Sequence, residues 1–286
     1  MSVPEHDEVT GTSTTGHDWD GITELDTPLP RWWLWTLYAT IVWGIGYTIA
    51  YPAWPMISTA TAGVLGFSTR AEFAQTIERH QASQAEVVAL IEASDFTQIA
   101  ADPDLDSFSQ SGGAAIFRTY CAQCHGAGAA GAKGYPNLLD DDWLWGGDHQ
   151  AIYETLAHGI RWDANEDTRW SAMPAFGDDG ILERADIEQV ADYVLSLSSP
   201  GEASEDGATL FADNCAACHG DDGGGDQSQG APNLADAIWL YGGDRESVIE
   251  TITHSRAGVM PAWSTRLSDA SIKQVTHYVH SLGGGE

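Results

Sequence analysis

The sequence predicts an all-α protein, with one N-terminal transmembrane helix followed by two tandem copies of a small helical domain. Three observations carry that reading. Trp32–Trp54 is free of charge and rich in aromatic residues at both ends, the second half of the chain repeats itself in order, and each copy closes on an apolar stripe at helical spacing.

At 286 residues, 43% of them hydrophobic, the chain has room for two domains and for packed cores. Its charge is strongly one-sided: 42 acidic against 12 basic residues, a formal net charge of −30, with Lys133 and Lys273 the two lysines. Such a surface excludes nucleic acid as a partner and disfavours docking on anionic lipid headgroups. It would steer a cationic partner protein inward. The acid is spread along the chain and not clustered, which favours adaptation to a salty habitat as its explanation, and both explanations can hold together.

Residues 1–31 read as a polar N-terminal tail and 32–54 as the span. A helix rising ~1.5 Å per residue crosses the ~30 Å hydrocarbon layer in that length. Trp and Tyr at its ends match interfacial belts, and Pro52 and Pro55 end it. A cleaved signal peptide fits poorly, because the run follows about thirty polar residues and lacks a basic opening. Arg31 precedes the run and the next basic residue is Arg70, which places the tail in the cytoplasm. Residues 55–107 read as a helical connector. Thr69 with Glu72 gives a capping-box signal for a helix running to about Ala93, and Asp102–Ser111 reads as a polar link.

Two repeats follow, over 108–199 and 208–286, joined by a linker at 200–207. Tyr120–Gly126 (YCAQCHG) matches Asn214–Gly220 (NCAACHG), and Pro136-Asn137-Leu138 matches Pro232-Asn233-Leu234. Trp143 and the Gly146-Gly147-Asp148 turn recur as Trp239 and Gly242-Gly243-Asp244, and His158 recurs as His254. Met173-Pro174-Ala175-Phe176 matches Met260-Pro261-Ala262-Trp263, with an insertion around Trp162–Arg169 in the first copy. The closing stripes are Ile181, Ile187, Val190, Ala191, Val194 and Leu195, then Ile272, Val275, Tyr278, Val279 and Leu282.

The chemistry lies in Cys121-x-x-Cys124-His125 and Cys215-x-x-Cys218-His219. Thiols three apart on a helical turn share a face, so both reach the vinyl groups of one haem, and the adjacent His becomes an axial ligand. Zinc would need further ligands near each pair, and a redox dithiol does not require a His after the second Cys in both copies. Two covalently bound haem c groups are therefore expected, using all four cysteines. Met173 and Met260 occupy the same place in both copies and are the expected sixth ligands, since thioether ligation opposite His suits electron transfer. Whether each Met serves its own repeat or the other stays open. The Pro136 and Pro232 carbonyls either accept from the ligand imidazoles or are plain loop positions. Arg161 and Arg256 either face haem propionates or make structural salt bridges. His158 and His254 read as structural histidines, with haem ligation the less favoured role. Haem c attachment takes place outside the cytoplasm, in agreement with Arg31.

These residues, together with His17-Asp18-Trp19-Asp20-Gly21-Ile22-x-Glu24-Leu25-Asp26-x-Pro28-Leu29-Pro30-Arg31-Trp32-Trp33, resemble the dihaem subunit III of cbb3-type cytochrome c oxidases, the CcoP or FixP family. The resemblance runs from about His17 to Leu282. It implies two tandem cytochrome c domains on the periplasmic face of the bacterial inner membrane, single-pass, without catalytic residues of their own. It further implies that the chain relays electrons from a donor cytochrome c to the catalytic subunit of a proton-pumping oxidase, beside a monohaem subunit. A free-standing anchored dihaem carrier for a dehydrogenase or other reductase is the alternative, and leaves the N-terminal signature unexplained. The extreme acidity and the near absence of lysine depart from the expected donor-docking surface.

Overall fold

The computed structural model describes residues 4–198 and 204–285. Two compact units divide within one helix, the first ending at Ser83 and the second beginning at Gln84.

The first unit departs from the all-α expectation. An antiparallel hairpin, β1 (Thr14–Trp19) and β2 (Ile22–Leu25), precedes the first helix. Asp20 and Gly21 make its two-residue turn at φ 54 and 89, the left-handed geometry for which Asp-Gly is favoured in tight hairpins. Trp19 pairs with Ile22 across it, and the Asp18 side chain accepts from the Gly21 N–H at 2.6 Å. Helix α1 (Arg31–Ala50) is shorter than the expected span, because Tyr51 turns extended ahead of Pro52. None of its residues is buried, although Trp32, Trp35, Val42, Trp43 and Ile45 lie along it. Trp, Tyr, Thr and Gly dilute its mean hydropathy, and among the described residues no helix is long and apolar enough to cross a membrane.

Helix α2 (Thr69–Ala93) covers the expected stretch, but its cap is Ser68, whose side chain accepts from the Ala71 N–H. In the second unit, α3 (Phe96–Ala101) opens with a reciprocal capping box between Asp95 and Gln98. The expected polar link at Asp102–Ser111 is instead most of helix α4 (Pro103–Ile116). Asp102 caps it, accepting from the Asp104 and Leu105 N–H groups, and Pro103 takes the first helical position, where a missing N–H costs nothing. A five-residue π-type turn, Phe117–Cys121, leads into the short α5 (Ala122–His125). Then follow α6 (His149–His158) and α7 (Arg184–Ser198), the latter leaving Ile181 outside it. The expected 200–207 linker lies outside the described residues up to 203. Beyond that it is helical, since α8 (Glu205–Asn214) starts on a Ser204 cap. Short α9 (Ala216–His219), α10 (Arg245–His254) and α11 (Asp269–His280) complete the chain.

The cores do not follow the order of the repeats. One core gathers Phe117 and Cys121, α6 residues Ile152 and Leu156, and then Trp263, Ile272, Val275 and Val279 from the second repeat. The other gathers α7 residues Ile187, Val190 and Val194 from the first repeat with Phe211, Val248 and Ile252 from the second. The division into 108–199 and 208–286 thus describes the repeats and not the packing units. Reciprocal backbone bonds mark the exchange. The Trp263 N–H donates to the Leu156 carbonyl at 2.9 Å, and at the equivalent place the Phe176 N–H donates to the Ile252 carbonyl at 3.1 Å. A third, smaller core of Ile91, Ile99, Leu105 and Ala270 seats the start of α11, where Lys273 donates to the Glu92 and Ser94 carbonyls at the end of α2.

Candidate haem-attachment sites

Both Cys-x-x-Cys-His motifs sit on one short helical turn ended by a left-handed glycine, Gly126 and Gly220, each at φ 79. The first thiol of each pair faces inward and the second is exposed, and all four are free. Burial and the neighbouring thiol push Cys121 and Cys215 up to about 11, so both are protonated at neutral pH.

The two imidazoles are held alike. His125 Nδ1 lies 3.0 Å from the Pro136 carbonyl oxygen, and His219 Nδ1 lies 3.1 Å from that of Pro232. A carbonyl only accepts, so each Nδ1 carries the proton and each Nε2 keeps its lone pair for a ligand. Burial lowers the pKa of both rings, which keeps them neutral. The loops behind them are matched as well. The Gly131 N–H donates to the His125 carbonyl and the Gly225 N–H to that of His219, both at 2.8 Å. A Cβ at Gly131 would stand 2.4 Å from the Tyr135 carbonyl oxygen, so the loop closes only on glycine. The Trp-x-x-Gly-Gly turns act in the same way: Gly147 lies under the Trp143 ring and Gly243 under that of Trp239.

The methionines are brought to the opposite sites. Met260 packs on the core that holds Cys121, and Met173 on the core beside Cys215. The other candidates are placed elsewhere. His158 lies 3.3 Å from Glu154, and His254 Nδ1 lies 2.9 Å from Asp178. Arg256 forms an ion pair with Glu250 at 2.9 Å, and Arg161 donates to the Gly258 and Ser171 carbonyls. The structural counterpart of Arg256 in the first repeat is Arg169, which the sequence reading passed over. Arg256 stacks over Tyr241 and Arg169 over Trp145, and they donate to the carbonyls of the equivalent residues Ser247 and Ala151. Counting back from each Met finds it, since both arginines stand four residues before one.

Free thiols three apart, an imidazole of fixed tautomer beside them and a thioether in the same core fit haem c. Among the described residues no group of three or more His, Cys, Asp or Glu is placed to hold a metal ion directly.

Comparison with known proteins agrees with this chemistry. Residues 109–194 and 202–279 match the family described as cytochrome c oxidase, cbb3-type, subunit III. Residues 11–58 match the N-terminal domain of cytochrome oxidase-cbb3, FixP. The chain belongs to the cbb3 oxidase subunit III family. It is 58% identical over 276 residues to the Cbb3-type cytochrome c oxidase subunit CcoP of Cereibacter sphaeroides, covering 96% of this chain and 95% of that protein. It is 53% identical over 283 residues to subunit FixP of Sinorhizobium medicae, covering 98% and 97%. The hairpin and α1 lie within the matched FixP segment.

Proposed function

We propose that this chain carries two covalent haem c groups with crossed axial ligands, His125 with Met260 and His219 with Met173, and relays electrons within a cbb3-type oxidase. The observation that carries the crossing is the packing of each Met on the core of the other repeat's cysteine motif. Cys121 and Cys124 hold one haem, and Cys215 and Cys218 the other. Bound haem would supply a one-electron iron couple, which His and Met ligands would set at a high potential. The protein's own residues fix that environment. Pro136 and Pro232 hold the imidazole tautomers.

The chain is anchored by the 32–54 run, with residues 1–31 in the cytoplasm, the haem repeats in the periplasm and 55–107 between them. Support comes from α1 itself. It carries apolar and aromatic side chains all round and buries none, and such a helix is stable in lipid or against another apolar helix. Its aromatic ends suit the interfaces, and Arg31 sets the direction. The relay runs from a donor cytochrome c to the catalytic subunit, beside the monohaem subunit, and the chain itself has no catalytic residue.

The test is purification of the chain from mildly solubilised native membranes, with haem spectra and oxygen uptake recorded. Two c-type haems per chain co-purifying with b-type haem, copper and oxygen uptake are expected. Isolation alone, or with a dehydrogenase and c-type bands only, would replace this reading with a free-standing anchored carrier.

A further inference from the structure

Each methionine reaches the opposite core on a short crossing segment, residues 169–173 and 256–260. Each segment is rooted in its own repeat. Arg169 donates to the Trp145 and Ala151 carbonyls at 3.2 and 3.1 Å, and Arg256 donates to the Ser247 carbonyl at 2.6 Å. Four residues later the chain has passed into the other core. Between root and tip, Ser171 and Gly258 hold equivalent positions, each two residues before its Met.

One guanidinium joins those two positions. Arg161 Nε donates to the Gly258 carbonyl at 2.7 Å and Nη1 to the Ser171 carbonyl at 2.8 Å. With Arg169 matched to Arg256, the extra residues of the first repeat are 160–168 rather than those around Trp162–Arg169. Arg161 lies among them and has no counterpart in the second repeat, so this single residue serves both crossings. Its backbone is locked alongside them. The Arg161 N–H donates to the Arg169 carbonyl at 2.9 Å, and its neighbour Ile160 exchanges two backbone bonds with Met260. Arg161 sits at φ 51, a left-handed conformation that strains an L-residue. Among the described residues the guanidinium has no carboxylate partner. A half-buried cation held by two carbonyls on a strained backbone serves placement better than charge balance.

We propose that Arg161 is a positioning residue that staples the two crossing segments and so holds Met173 and Met260 at both haem sites at once. The proposal rests on the crossed ligand assignment given above. It predicts a behaviour that no local structural role shares: one substitution in the first repeat alters both haems.

The experiment uses the full chain with both haems attached. Arg161→Asn removes the guanidinium while tolerating positive φ, and Arg161→Lys keeps the charge but cannot bond both carbonyls. The readouts are the thioether-to-iron absorption and the midpoint potential of each haem, with haem content and helicity checking the fold. Arg161→Asn is expected to reduce the absorption and lower the potential at both haems, and Arg161→Lys to do so less. If Arg161→Asn changes neither haem or only one, or Arg161→Lys matches the native chain, the staple is refuted. Met173→His and Met260→His separate this from the ligand reading. If each alters the haem of its own repeat, the crossing itself fails. If each alters the opposite haem while Arg161→Asn changes neither, only the role of Arg161 fails.

Discussion

Gly113 of α4 and Gln274 of α11 meet so closely that a Cβ on the glycine would lie 2.2 Å from the Gln274 carbonyl oxygen. This contact brings the first helix of one repeat against the last helix of the other, and a Cβ on Gly112 would lie 2.8 Å from the Gln274 side-chain oxygen. Gly113→Ala should force the helices apart at a cost of about 1–3 kcal/mol, the usual range for overpacking. Thermal unfolding of the variant should show a lowered midpoint. An unchanged midpoint would mean that the crossing is looser than described.

Phe117 and Phe211 are each buried to 1% exposure, one in each core. Truncation to Ala should cost about 3–5 kcal/mol in either case. The consequences should differ by site. Phe117→Ala should loosen the core that seats Cys121 and Met260, and Phe211→Ala the core that seats Cys215 and Met173. Haem-resolved potentials that shift at both haems equally in each variant would contradict two separate cores.

Three imidazoles stack at the ends of α6 and α11. His149 lies 3.7 Å from the His280 ring centroid, its Nε2 is 3.2 Å from His277 Nδ1, and His277 Nε2 meets Asp106 of α4 at 2.7 Å. Burial, and then the neighbouring His280 and His277, drive His149 from 6.5 down to about 4, against the smaller opposing pull of Asp148. The folded state therefore prefers the neutral ring. Its contribution to stability is present above pH 6.5 and is lost as the pH falls towards about 4. His149→Gln should flatten that part of the stability profile, measured by denaturant unfolding at a series of pH values. A profile as steep as the native one would assign the acid sensitivity to other groups.

If the 32–54 run lies in the bilayer, Ile41 near its middle is exposed to lipid. Ile41→Arg should then cost about 2.5–3.5 kcal/mol of insertion and shift the chain towards the soluble fraction after membrane extraction. Undiminished membrane retention would point to anchoring by partners in place of this helix.

The sequence disclosed the repeat, the Cys-x-x-Cys-His turns and the extent of α2, because each rests on local spacing. Two local signals were present but passed over. Asp20-Gly21 announces the hairpin, and Asp102-Pro103 announces the start of α4, whose polar and glycine-rich composition resembles a linker until Gly112 and Gly113 are seen to admit α11. The exchange of cores lay beyond reach for a different reason. Two equivalent copies offer the same apolar partners, so Leu156 suits Phe176 or Trp263 on composition alone, and only the path of the chain decides between them. The same ambiguity paired Arg256 with Arg161, until the shared stacking on Trp145 and Tyr241 showed its counterpart to be Arg169.

The crossing is tested most directly in a chain reduced to one haem by Cys215→Ser and Cys218→Ser. Redox titration of the haem left at Cys121 and Cys124 is then repeated after Met173→His and after Met260→His. Met260→His is expected to lower its potential and abolish its thioether-to-iron absorption, with Met173→His leaving both unchanged. The reverse result would show that each repeat ligates its own haem.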